Sequence, residues 1–197
     1  MKNFGKQVRF FWLSLFFSFL FTQAFGQKGI LDKVESFYRQ NASSIDSLVS
    51  RFEELYAQRP CSIGFTDLSF KHFSLEVYSD SVRYIYNTSL RNGEALHEAV
   101  GFQYDSARLN DFALHLYRLK GLWMGKTSFY KDGEREVVTF LSFRQVNKGK
   151  LFAQAQYVIL LFPGKEMEAL AQSRRVQSGT LKQIGSHVFM TIGSGFR

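Results

Sequence analysis

The residue types that most often do chemistry are scattered along this chain of 197 residues. The four histidines, His72, His97, His115 and His187, lie far apart in the sequence. No two of them have the i, i+4 or short-loop spacing of a zinc site, and Cys61 is the only cysteine that could join one. We therefore expect neither a metal centre nor another bound cofactor.

The nucleophiles of the chain also lack an activating context. No serine lies in a Gly-x-Ser-x-Gly elbow, and no glycine-rich loop precedes a helix to bind phosphate. Cys61 could be a catalytic thiol or form an intermolecular disulfide, but a single cysteine in a folded domain is more often buried and inert. These features favour a protein that is not an enzyme.

One group of residues keeps an enzyme as an alternative. An isomerase or hydrolase with its pocket in a curved sheet would use residues such as Asp105, His97 or Tyr84. His97 and Glu98 form an adjacent histidine–carboxylate pair. Because adjacent side chains point apart on a helix or a strand, this pair is not a catalytic dyad by itself.

A long stretch at residues 134–162 offers a different kind of site. Its β-branched and aromatic residues flank a polar turn at 147–150, which predicts a hairpin with long arms. On the second arm, glutamines share one face with bulky residues, while alanines on the other face leave room. These alanines could instead accommodate a helix, with the glutamines facing water. We predict a ligand site between sheet and helices, formed by Gln154, Gln156, Tyr84 and Trp123.

Residues 1–26 have the three parts of a secretory signal peptide. A positive start without acids is followed by an apolar run at 10–21 and by the small residues Ala24 and Gly26. A helix of about twelve residues spans about 18 Å, less than the roughly 30 Å of a hydrocarbon core. We expect cleavage after Gly26 and export to the periplasm or the extracellular space, with no transmembrane span in the mature chain. The alternative is an uncleaved N-terminal anchor.

The charge of the chain says little about its partners. The formal net charge is +8, and three of the positive residues lie in the predicted signal peptide, so the mature chain carries about +5. No basic cluster is present, which argues against a nucleic acid partner. Three triplets resemble a short O-glycosylation signal of exported bacterial proteins and favour a bacterial source: Asp46-Ser47-Leu48, Asp80-Ser81-Val82 and Asp105-Ser106-Ala107.

Apolar spacing predicts helices in three parts of the chain. Residues 30–39 and 45–56 each carry an apolar stripe, and the polar run at 41–44 is predicted to separate two helices. Proline at position 60 ends the second. Further helices are predicted over residues 111–121, capped by Asn110 or Asp111, and over 166–174.

The strands follow a period of two. Alternation predicts strands at 70–78, whose polar face should be exposed to water, and at 82–87. A strand at 126–130, a turn at Asp132-Gly133 and the hairpin at 134–162 form a three-stranded antiparallel meander. Two more strands, at 176–184 and 187–192, precede a flexible tail at 193–197.

Helices followed by mostly antiparallel strands predict an α+β domain over residues 27–192, with an N-terminal helical hairpin packed on a curved sheet. This order of elements resembles that of cystatin-like and nuclear-transport-factor-like folds, as an analogy of architecture only. Gly121-Leu122-Trp123 also resembles the Gly-x-Trp that opens lipocalin-type barrels. Only about 75 residues follow it, too few for such a barrel.

We expect a non-catalytic exported domain that binds a small ligand or an envelope protein. The alternatives are the pocket enzyme and a structural subunit of an envelope complex. A deep pocket with convergent titratable groups would favour the enzyme, whereas an exposed apolar patch or a long unpaired sheet edge would favour assembly.

Overall fold

The computed structural model describes residues 32–78, 83–89, 104–131, 134–145, 156–164, 170–171, 176 and 179–193. The predicted signal peptide, the hairpin turn at 147–150, the turn at Asp132-Gly133 and Gln154 lie outside these residues. The chain divides into two compact units between Gln40 and Asn41. Of the first unit, the described residues 32–40 are helical, and Arg39 pairs with Glu35 at 2.7 Å.

The first helix, α1, runs without a break over residues 32–58. The predicted separation into two helices at 41–44 is therefore wrong. Asparagine and serine disfavour a helix by only a few tenths of a kcal/mol each, so burial of the adjoining stripe outweighs them. Ile45, Leu48 and Phe52 of this stripe are fully buried, at 0% exposure. The helix ends before Pro60, as predicted.

The second helix, α2, spans Ser106–Arg118, which confirms a helix in this region but starts it earlier than predicted. Its N-cap is Asp105, whose side chain accepts hydrogen bonds from the backbone N–H groups of Ala107 and Arg108. The predicted caps Asn110 and Asp111 are wrong because both lie inside the helix. The rings of Phe52 and Phe112 bring α1 and α2 together, with centroids 6.4 Å apart.

The described strands form one open, antiparallel sheet, which confirms the predicted α+β class. Its order is β3-β2-β1-β4-β5-β6-β8-β7. The strands are β1 (Cys61–Phe65), β2 (His72–Tyr78), β3 (Arg83–Ser89), β4 (Gly121–Lys131), β5 (Glu134–Gln145), β6 (Gln156–Phe162), β7 (Lys182–Gln183) and β8 (Phe189–Gly193).

The predicted meander is confirmed, because β4, β5 and β6 are sheet neighbours in sequence order. Pairing of β5 with β6, from Thr139 opposite Phe162 to Gln145 opposite Gln156, confirms the long hairpin. Strand β1 was not predicted. The strand predicted at 176–184 is wrong over most of its length, since β7 has two residues and Val176 is helical.

Strand β1 joins the two halves of the sheet through a very short ladder. It pairs with β4 only at Ile63 opposite Met124 and Gly64 opposite Trp123, whereas it pairs with β2 along all five of its residues. A Cβ on Gly64 would lie 2.1 Å from the Leu122 carbonyl oxygen. Glycine is therefore required for this approach, and the pairing of β1 with β4 does not continue from this ladder to Cys61 and Lys126.

We expect Gly64→Ala to lower the free energy of unfolding by at least about 3 kcal/mol, because its methyl group would overlap backbone atoms that cannot move aside. Urea denaturation measures the change. Gly179→Ala is the control, since no described atom lies within 4 Å of its Cβ position and only its φ of 72° opposes alanine, at about 1 kcal/mol. An equal loss in both variants would contradict the role of Gly64.

Candidate ligand-binding site

A cavity of about 510 Å³ lies beyond the end of the β1–β4 ladder. This volume is within the range of small-molecule pockets. Its walls come from the C-terminal end of α1, from β1 and β2 on one side, and from β4 and β5 on the other. The lining residues are Tyr56, Pro60, Cys61, Ser62, Glu76, Tyr78, Trp123, Lys126, Thr127, Arg135, Val137 and Phe140.

One wall of the cavity is polar and is built by the pairing of β1 with β2. Ser62 lies directly opposite Glu76, so the two side chains share a face of the sheet. The Ser62 hydroxyl donates to Glu76 Oε2 at 3.3 Å, and the Tyr78 hydroxyl donates to the same oxygen at 3.2 Å. The two hydroxyl oxygens are 2.8 Å apart. Glu76 is only 2% exposed, so this wall holds a carboxylate out of bulk water.

The opposite wall carries Lys126, whose ammonium group is held by Glu53 of α1. Lys126 Nζ donates to both Glu53 oxygens, at 2.5 and 2.6 Å. The Thr139 hydroxyl donates to Glu53 Oε1 as well. Lys126 and Thr139 are opposite each other on β4 and β5, so the Glu53 carboxylate of α1 binds side chains of both strands. This ion pair fixes the position of the lysine and neutralises its charge.

Aromatic groups line the space between these walls. The ring of Tyr56 lies 5.0 Å from Lys126 Nζ, a cation–π distance. Trp123 is 1% exposed and Phe140 is 7% exposed. A Cβ on Gly125 would lie 2.9 Å from the Phe140 ring, so the missing side chain of this glycine makes room for the ring across the strand pair.

Arg135 and Val137 of β5 form the exposed side of the cavity. Burial raises the pKa of the Tyr56 hydroxyl, and the Arg135 guanidinium acts in the opposite direction. The positive charge of the guanidinium therefore acts on the Tyr56 hydroxyl. In the part of the chain that the structure describes, no carboxylate forms an ion pair with Arg135.

Cys61 reaches the cavity wall but is not an activated nucleophile. Burial raises the pKa of its thiol to about 11, against a smaller lowering by a hydrogen bond with Tyr104. Burial, together with the neighbouring thiol, also raises the pKa of Tyr104, whose hydroxyl donates to the Arg59 carbonyl at 2.9 Å. A thiol with this pKa is protonated at neutral pH, which fits an inert cysteine.

Of the predicted ligand residues, the structure places Trp123 in the cavity. Tyr84 belongs to β3 and pairs with Val77, but its side chain is not described. Gln156 begins β6, two strands away from β4, and its side chain is not described either. Gln154 lies outside the described residues, so the predicted glutamine site stays a prediction.

The residues suggested for an enzyme do not form a site in the described chain. Asp105 is a helix cap, and His97 lies outside the described residues. His115 Nε2 lies 2.8 Å from the Ser44 hydroxyl, and His187 Nε2 lies 3.1 Å from Asp46 on another side of α1. Within the described residues, no group of three or more histidine, cysteine or acidic side chains could hold a metal ion.

Sequence reasoning missed the residues that build the polar wall. The alternation in β2 correctly predicted a strand, but it also predicted that Ser74 and Glu76 face water. Both are buried, at 1% and 2% exposure. Alternation identifies the two faces of a strand, whereas the covering of the polar face depends on distant parts of the chain. The acidic residue on the polar face of this strand was the one available signal.

Comparisons with protein-family models, curated proteins and solved structures find no match to this chain. Among the described helices, none combines the length and apolar character needed to cross a membrane.

The Glu53–Lys126 pair should contribute about 1 kcal/mol to stability, because Lys126 is only 19% exposed while Glu53 remains 44% exposed. A double-mutant cycle with Glu53→Gln and Lys126→Met measures the coupling by urea denaturation. The control cycle uses Arg51→Gln and Asp111→Asn. That pair also joins two elements but is more exposed, at 43% and 62%, and should give a few tenths of a kcal/mol. Equal couplings would contradict a special role for Glu53.

Cys61 should react at least about a hundredfold more slowly with iodoacetamide in the folded protein than in urea at pH 8. The raised pKa leaves roughly one thiolate per thousand molecules at this pH, compared with about one in ten for an unperturbed thiol. Because the thiolate is the reactive form, the folded-state rate should rise with pH up to about 11. Mass spectrometry follows the adduct, and Cys61→Ser is the blank. Similar folded and unfolded rates would contradict an inert thiol.

Proposed function

We propose that this protein is a binding domain that holds a small polar organic molecule in the cavity between β1 and β4. The observation that carries the proposal is a cavity of about 510 Å³ with a buried carboxylate, two hydroxyls and aromatic rings in its walls. Ligand pockets combine apolar walls with a few fixed polar groups in the same way. Export to the periplasm or the extracellular space is part of the proposal and is supported by the signal-peptide pattern of residues 1–26.

The chemistry of the walls favours binding over catalysis. Lys126 is neutralised by Glu53, so it is a poor base or Schiff-base nucleophile. The thiol of Cys61 is protonated at neutral pH because its pKa is about 11. Both groups keep fixed positions and fixed charges, which suits recognition of a ligand.

A hydrolytic or isomerase activity is the second candidate, favoured by the contact between Ser62 and Glu76. A carboxylate 3.3 Å from a serine hydroxyl is placed to take its proton, and the Tyr78 hydroxyl is placed beside both. In this candidate, Ser62 is the nucleophile and Glu76 the general base. The cavity also holds several titratable groups, as a pocket enzyme requires.

Native mass spectrometry of the protein purified from its own cell envelope tests the proposal. We expect a bound small molecule in the wild type and its loss in Val137→Trp, because the indole would fill the exposed side of the cavity without removing a polar group. Leu114→Trp is the control, since Leu114 is 38% exposed on α2 and does not line the cavity. The same spectrum reports whether the chain starts at Gln27.

The outcomes separate the two candidates. Ser62→Ala should keep the bound molecule unchanged in mass if the protein only binds it. If the protein is an enzyme, the variant should carry an intact substrate that the wild type converts. Retention of the same molecule by Val137→Trp would contradict the cavity as the binding site.

A further inference from the structure

Three of the described residues that line the cavity are charged, and they differ in the groups that bind them. Lys126 gives its ammonium to Glu53 in two short hydrogen bonds. Glu76 accepts from the hydroxyls of Ser62 and Tyr78. Arg135 is exposed, and none of the ion pairs or hydrogen bonds among the described residues involves its guanidinium. A ligand that enters can therefore gain most from this guanidinium.

From this difference we infer that the ligand is a small organic acid whose single carboxylate pairs with Arg135. The inference rests on the proposed binding function and names its ligand class. A guanidinium presents two parallel N–H donors to a carboxylate, an arrangement that gives direction as well as strength. Tyr56 lines the same cavity, and its hydroxyl is a further hydrogen-bond donor for the ligand.

The charges around the cavity favour a ligand with a single negative charge over one with two. Glu53 cancels Lys126, so among the described lining residues one positive charge is left without an ion pair, at Arg135, and one carboxylate is present, at Glu76. A carboxylate carries one negative charge and matches Arg135. A phosphate monoester carries about −1.5 to −2 at neutral pH, and its excess charge would be repelled by Glu76 in a partly dehydrated space.

The other lining residues indicate the chemistry of the rest of the ligand, beyond its carboxylate. The rings of Trp123 and Phe140 and the side chains of Pro60 and Val137 form apolar surface between the charged groups. An apolar or aromatic body would bury against them, and this burial is favourable in proportion to its area. A hydroxyl or amino group at the far end of the body could donate to the oxygens of the polar wall.

A matched ligand series tests the inference. The probes are 2-naphthoate and 4-phenylbutyrate, each compared with its primary amide of nearly equal size, and phenyl phosphate as the dianion. Binding is measured from the fluorescence of Trp123, which lines the cavity, and by isothermal titration calorimetry. Each acid should bind the wild type at least about tenfold more tightly than its amide, as expected for one charge-assisted pair. Phenyl phosphate should bind more weakly than the acids.

Two variants test whether Arg135 causes the preference for acids over amides. Arg135→Gln should lose the preference for acids while it keeps the binding of the amides. Arg118→Gln, an exposed position on α2 outside the cavity lining, should keep the preference. High salt should weaken the binding of the acids more than the binding of the amides, because an exposed ion pair is screened.

The results distinguish the inference from the proposed function. If acids and amides bind the wild type equally and Val137→Trp abolishes both, the cavity is a ligand site and the assignment of a carboxylate is overturned. The same holds if Arg135→Gln keeps the full preference for acids. If no probe binds and the protein from its own envelope carries no small molecule, the proposed function fails together with the inference.

Discussion

The structure depends on the close approach of two backbones at Gly64 and Trp123. Among the described strands, this two-residue ladder is the only pairing that connects β3, β2 and β1 to the other five strands. Any side chain on residue 64 would meet backbone atoms within 2.6 Å. The sheet is continuous because this position has no side chain. The same ladder has only two residue pairs, and the cavity lies beyond its end, where Cys61 and Lys126 line it.

Other interactions hold the elements on either side of the cavity in place. On the β4 side, Glu53 of α1 holds Lys126 and Thr139. On the β1 side, the N–H group of Tyr78 donates to the Pro60 carbonyl at 2.9 Å, and the hydroxyl of Tyr104 donates to the Arg59 carbonyl. These contacts act on either side of the opening and lie outside the β1–β4 ladder. The cavity is therefore a supported part of the fold.

Much of the fold could be predicted from the sequence, because periodicity reports burial. The stripe at residues 45–56, the alternation in β2 and the hairpin arms of β5 and β6 each reflect one element packed against the core. The errors occur where local and tertiary effects compete. The polar run at 41–44 remains helical because its neighbours are buried, and β7 covers only Lys182–Gln183 of the strand predicted at 176–184. Only Trp123 of the cavity residues was predicted, because a gap in strand pairing leaves no periodic signal in any one strand.

The polar wall of the cavity contains a buried carboxylate, and the cost of burying it bears on function. A carboxylate transferred out of water costs several kcal/mol, and hydrogen bonds to hydroxyls offset part of this cost. Apolar residues at such positions are often as stable or more stable, so stability alone does not require Glu76 in a strand that also contains Phe73, Leu75 and Val77. The hydroxyls of Ser62 and Tyr78 fix its carboxylate at the cavity surface. A polar group that is costly for folding and held in one place is favourable where it contacts a ligand, so the position of Glu76 in the cavity lining supports the proposed binding site.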